Sequence, residues 1–185
     1  MRYSEINTGD TLYKNTEFND KGKPFLMRVV NWATSKIQGV KDKDHVEFFH
    51  WDNGILSVTS SVFGPGVRTQ SFEHWKRNEG FPKIEILRRS HPFSAAEIKS
   101  ISISISNDRG LPYGLIKALK AKISHDDENT VSDNLQEDGI FCSEQCSKLS
   151  GYNDWKGDWP LELYDKQISS GYSILFNGEC SEITA

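Results

Sequence analysis

Cys142 follows the apolar pair Ile140-Phe141 and stands in the first turn of a predicted helix, Cys142 to Leu149, which Gly151 stops. The start of a helix carries partial positive charge and backbone N–H groups without partners inside the helix. Such a position stabilises a thiolate, and the same N–H groups can receive the oxyanion of a tetrahedral intermediate. The competing reading of Cys142 is a small buried core residue, the commonest fate of a free cysteine. Cys146, one turn deeper, reads as core. Cys180 lies in the polar tail and is assigned no role.

A nucleophilic cysteine needs a base. Of the five histidines, His45 opens a strand of apolar character, His50 lies beside a turn and His74 sits in a polar helix. His91 precedes a proline, and His125 lies in an acidic segment. His45 is the best partner by environment, against the alternative of a structural strand histidine. The Cys and His residues lack the spacing of a metal site, and Cys142 with Cys146 falls short of the roughly four ligands a structural zinc needs. No metal and no cofactor are expected.

The elements that must position these residues follow from local pattern. Thr11-Leu12-Tyr13 is a short strand candidate. Phe25 to Ile37 has helical apolar spacing between Pro24 and Gly39. His45–Trp51 and Ile55–Ser61 flank Asp52-Asn53-Gly54 and predict a hairpin. After Gly64-Pro65-Gly66, residues 67–80 predict a short strand and then a short helix, and residues 83–89 alternate as a strand. Ser94 with Glu97 forms a capping box that opens a helix to about Ser106, with Ile98, Ile101 and Ile105 on its buried face; the alternation over 101–106 also fits a strand. Leu115 to Lys122 predicts a short helix, and Tyr172–Phe176 the last strand. Residues 124–138 hold six acidic residues and predict a polar loop or insertion.

This mixed order predicts an α+β class and, at 185 residues, a single domain spanning 1–185. With 22 Lys+Arg against 26 Asp+Glu, the net charge of -4 argues against nucleic acid as the main partner and against a polybasic membrane anchor. No run approaches the ~18 apolar residues of a bilayer span. The N-terminal residues have no apolar signal region, so the expected location is cytoplasmic, or that of a chain whose leader has been removed. Oligomeric state is not legible.

Several segments, in order, resemble one family. They are Gly9-Asp10-Thr11-Leu12-Tyr13, Asp44-His45-Val46, Gly66-Val67-Arg68 with Phe72-Glu73-His74-Trp75, Leu111-Pro112-Tyr113-Gly114-Leu115, Phe141-Cys142-Ser143-Glu144, and Asp158-Trp159-Pro160 with Leu163. Over roughly residues 5–165 this ordered set resembles the circularly permuted branch of the NlpC-type papain-like cysteine hydrolases, related to the lecithin:retinol acyltransferase group. The resemblance implies a permuted papain-like fold in which the histidine precedes the cysteine. It further implies Cys142 as nucleophile and His45 as general base, and a third polar residue, often Glu, on the return strand of the hairpin. Here that position falls at Ser60, or at Ser61 or Thr59 if the register slips. A hydroxyl orients an imidazolium less strongly than a carboxylate. Glu47 points to the same strand face as His45 and is the competing candidate.

The expected function is therefore a cysteine hydrolase, of amidase or peptidase type, acting through an acyl-enzyme on a peptide, amide or lipid-ester substrate. The alternatives are a lipid-type acyltransferase, or a binding or structural protein on the same fold with a weakened triad. The expected geometry puts the Cys142 sulfur about 3–4 Å from a His45 ring nitrogen. It packs the Cys142 helix on a sheet built from the strands near 45–51, 55–61 and 83–89.

Overall fold

The computed structural model describes residues 1–14, 43, 45–62, 64–114, 139–152 and 160–185. Six strands form one antiparallel sheet: β1 (Thr11–Lys14), β2 (His45–Asp52), β3 (Ile55–Val62), β4 (Gly66–Ser71), β5 (Lys83–Arg88) and β6 (Ser173–Glu179). Their spatial order is β4-β3-β2-β1-β5-β6. Four α-helices accompany them among the described residues: α1 (Phe72–Asn78), α2 (Ala95–Asp108), α3 (Cys142–Leu149) and α4 (Pro160–Ser169). The class is α+β. The helices proposed near 25–37 and 115–122 and the polar segment 124–138 lie outside the described residues.

The hairpin forms as its turn demands. Asn53 (φ 49°) and Gly54 (φ 80°) both take positive φ, and Asp52 pairs with Ile55 across a two-residue loop. This is the turn whose twist matches that of the flanking strands. The strands expected near 45–51, 55–61 and 83–89 do lie in one antiparallel sheet, and β1, four residues long and fully buried, separates the hairpin from β5. Thr11 pairs with Phe48 on one side and with Leu87 on the other.

Strand alternation splits the core into two layers. One face carries Leu12, Phe49, Leu56, Val58, Ile84 and Ile86, covered by Phe72 and Trp75 of α1 and by Ile6, Cys180 and Ile183 from the two ends of the chain. Cys180 is thus a core residue, not part of a solvated tail. The other face carries Tyr13, Val46, Phe48 and Leu87, packed against Cys142, Cys146 and Leu149 of α3, Ile101 and Ile105 of α2, and Leu163 of α4. The capping box is present at Ser94 and Glu97, and the helical reading of 101–106 holds. Ile98, however, is 37% exposed and does not share the buried face of Ile101 and Ile105. The short helix α4 has no counterpart in the sequence pattern. Its Gln167 Oε1 accepts from Thr11 Oγ1 and Tyr13 Oη, both at 2.8 Å, which ties it to the central strand.

Helix α3 is buried on nearly all sides: Ser143, Glu144, Gln145 and Ser147 are as inaccessible as Cys146. Its start is fixed by backbone. Ile140 forms a parallel bridge with Tyr113, its N–H donating to Pro112 O at 3.1 Å, and Ser61 Oγ donates to Ile140 O. Its end is held by Lys148, whose Nζ lies 2.7 Å from Asp108 Oδ1 at the end of α2. Gly139 makes the approach to α3 feasible. Its φ is +85°, and an added Cβ would lie 2.2 Å from Pro112 O. Gly139→Ala is therefore expected to destabilise the fold by at least about 2 kcal/mol, read as a lowered midpoint of thermal unfolding. An unchanged midpoint would mean that this approach is not constrained.

Candidate active site

His45 is the first residue of β2, at the rim of the sheet. Glu47, two residues on, shares its face, as does Ser60 on β3, one step beyond the Phe48–Thr59 pair. The side chains converge accordingly. His45 Nε2 lies 3.1 Å from Ser60 Oγ and 3.2 Å from Glu47 Oε1. Cys142, from the opposite layer, lies near enough to the same imidazole to raise its pKa.

The sequence-selected residues Cys142, His45 and Ser60 are thus brought together. Glu47 joins them on equal terms with Ser60: it is 2% exposed, not a solvated strand residue. The two slipped-register candidates are elsewhere. Ser61 is committed to Ile140 O, and Thr59 Oγ1 bonds to His50 Nε2 at 2.9 Å and to Thr69 Oγ1 at 2.7 Å. His50 is buried with them, and that burial lowers its pKa and keeps it neutral. His74 and His91 are exposed, and His125 lies outside the described residues.

A buried charge cluster missed by the sequence pattern lies behind Glu47. Lys14 Nζ is 3.0 Å from Glu47 Oε1 and 2.7 Å from Glu79 Oε2, and Arg68 Nη2 reaches Glu79 Oε1 at 3.6 Å. Lys14 also lies 4.9 Å above the Trp75 ring. The strand register pairs Lys14 with His45. That pairing is long-range, so no local sequence signal pointed to the cluster.

The electrostatics follow from these contacts. Burial alone would lower the His45 pKa. The charge of Cys142, the hydrogen bond to it and the hydrogen bond to Glu47 outweigh that, with Lys14 opposing, and hold it at about 9. Burial alone would raise Glu47. The charge of Lys14, and the hydrogen bond and charge of His45, hold it well below the usual carboxylate range, and the nearby Trp75 indole adds a smaller effect. Burial, then the charges of Cys142 and Glu47, push the Cys146 thiol well above its ordinary range, so it stays protonated.

No family model matches the sequence, and no curated protein does. Among solved structures, the chain is similar to the metalloprotein yiiX (DUF1105) from Escherichia coli O157:H7, with a TM-score of 0.52 and 15% identity over 77% of this chain. The chain spans 63% of the length of that protein. The likeness is one of fold. The neighbour is a metalloprotein, but among the described residues of this chain no group of three or more His, Cys, Asp or Glu side chains is arranged to hold a metal ion. Around His45 the donor set does not fit a cation either, because the Lys14 ammonium already occupies Glu47 Oε1. No helix among the described residues is long and apolar enough to cross a membrane.

Folding raises the His45 pKa from its ordinary 6.5 to about 9. Its contribution to stability is therefore complete below pH 6.5 and lost as pH rises through 9. Glu47, shifted the other way, contributes above the ordinary carboxylate range and loses that contribution only in strong acid. The ring resonances of His45 should titrate near pH 9, and in Cys142→Ala the midpoint should fall. A midpoint near 6.5 in both proteins would mean that the thiol and imidazole do not interact.

Proposed function

We propose that the protein is a cysteine hydrolase of amidase or peptidase type on a permuted papain-like, NlpC-type fold, with Cys142 as nucleophile and His45 as general base. The observation that carries this reading is the convergence on one imidazole: Cys142 on one side, Glu47 and Ser60 on Nε2. The ring is held on Nε2 by Ser60 and Glu47, and the thiol that acts on it stands at a helix start. The order of His45 before Cys142 in the chain, and the packing of α3 on the sheet that carries His45, accord with the permuted arrangement.

In the proposed reaction, His45 takes the Cys142 proton and the thiolate attacks the carbonyl carbon of an amide, ester or thioester. The oxyanion is received by N–H groups at the start of α3. The imidazolium returns the proton to the leaving amine, alcohol or thiol as the tetrahedral intermediate collapses to the Cys142 thioester. His45 then deprotonates a water, which releases the acid and restores the thiol. A peptide, an amide or a lipid ester would serve as donor. Replacing the water with a second acceptor turns the same chemistry into acyl transfer.

The test is mass-spectrometric detection of an acyl adduct on Cys142 with a panel of activated esters and peptide amides, together with turnover. Cys142→Ala should form none, and His45→Ala should be slower by at least about 100-fold. Ser60→Ala should cost roughly tenfold, about 1.4 kcal/mol, and Glu47→Gln more, since a carboxylate supports an imidazolium better than a hydroxyl. Full turnover in Cys142→Ala would end the cysteine-hydrolase reading, and neither adduct nor turnover in the wild type would leave a binding or structural protein on the fold. A loss in Ser60→Ala larger than in Glu47→Gln would reverse the ranking of the two.

A further inference from the structure

Lys14 is an unusual residue to find buried, and its contacts define a job. Its ammonium and the His45 imidazole approach the same oxygen, Glu47 Oε1, at 3.0 and 3.2 Å. Its other contact, Glu79 Oε2 at 2.7 Å, comes from the C-cap of α1 and pulls from the far side. Arg68 on β4 steadies Glu79 in turn. Among the described residues, two cations, Lys14 and Arg68, stand against the two carboxylates Glu47 and Glu79. The imidazole adds a further contact to Glu47.

We propose that Lys14, clamped by Glu79, is a positioning residue for the Cys142–His45 pair: it holds the Glu47 carboxylate against Nε2 while offsetting part of its charge, so the ring is oriented and its proton is held less tightly than an unpaired carboxylate would hold it. This rests on the hydrolase reading for its purpose but not for its geometry. An unneutralised buried carboxylate on Nε2 would tighten the hold on the His45 proton further. Among the described residues, the other groups near the ring are Cys142 from α3, Ser60 from β3, and Cys146 a turn deeper. Lys43, two residues before His45, is turned toward Glu85 and the Tyr164 ring.

The arrangement makes opposite predictions for its two ends. Lys14→Met removes the neutralising charge, so the His45 titration midpoint, followed by NMR of the ring in the full chain, should rise by about one pH unit. Glu79→Gln releases Lys14 to Glu47 alone, so the midpoint should fall. Lys14→Arg should restore the wild-type midpoint. A residue that merely fills space would move both variants the same way or neither. Midpoints that stay put, or that shift in one direction in both variants, overturn the proposal. If Lys14→Met does not fold, the isosteric Glu79→Gln decides alone: a fall supports the clamp, and no change or a rise refutes it. Absence of an acyl adduct on Cys142 in the wild type would defeat the hydrolase reading and leave these NMR outcomes intact.

Discussion

One carboxylate oxygen, Glu47 Oε1, organises the centre of the molecule. Taking a carboxylate out of water costs several kcal/mol unless its lone pairs are matched. Here the match comes from three elements: Lys14 on β1, His45 on β2, and through Lys14 the Glu79 cap of α1. The sheet order makes this feasible. Because β1 lies beside β2 and not at an edge, Lys14 emerges directly across from His45. A cluster of this kind is poor evidence for stability, since apolar residues of the same volume would often hold the fold as well. Its presence is better explained by what it does to the imidazole at its rim.

The second half of the site is held just as firmly from the other layer. Helix α3 is anchored at its start by the Ile140 bridge and Ser61, and at its end by Lys148 on Asp108. Gln167 of α4 links Thr11 and Tyr13 of the central strand to Ser150, just past α3, its Nε2 donating to Ser150 Oγ at 3.4 Å. The thiol and the imidazole thus sit on separate rigid pieces that meet at the rim of the sheet.

The parts of this account that rest on local rules were legible in the sequence. The Asn53-Gly54 turn, the Ser94 capping box and the helix starting at Cys142 each depend on a few adjacent residues. The family resemblance asked for a third polar residue on the return strand, counting along the hairpin put it at Ser60, and Ser60 lies beside His45. What depended on long-range pairing was not legible. Four residues of β1 ending in a lysine do not announce a central strand, and nothing in Cys142–Leu149, where Ser, Glu and Gln outnumber apolar residues, signals burial on nearly all sides. The place of Glu47 fell between: alternation put it on the His45 face, but only the packing of Lys14 and Trp75 removed it from solvent.

The central claim is that His45 activates Cys142. Its most direct test is the rate at which iodoacetamide alkylates Cys142 at neutral pH, followed by peptide mass spectrometry in the wild type and in His45→Ala. An activated pair predicts a rate at least about tenfold higher in the wild type, with Cys146 unlabelled in both. Equal rates in the two proteins would contradict the account.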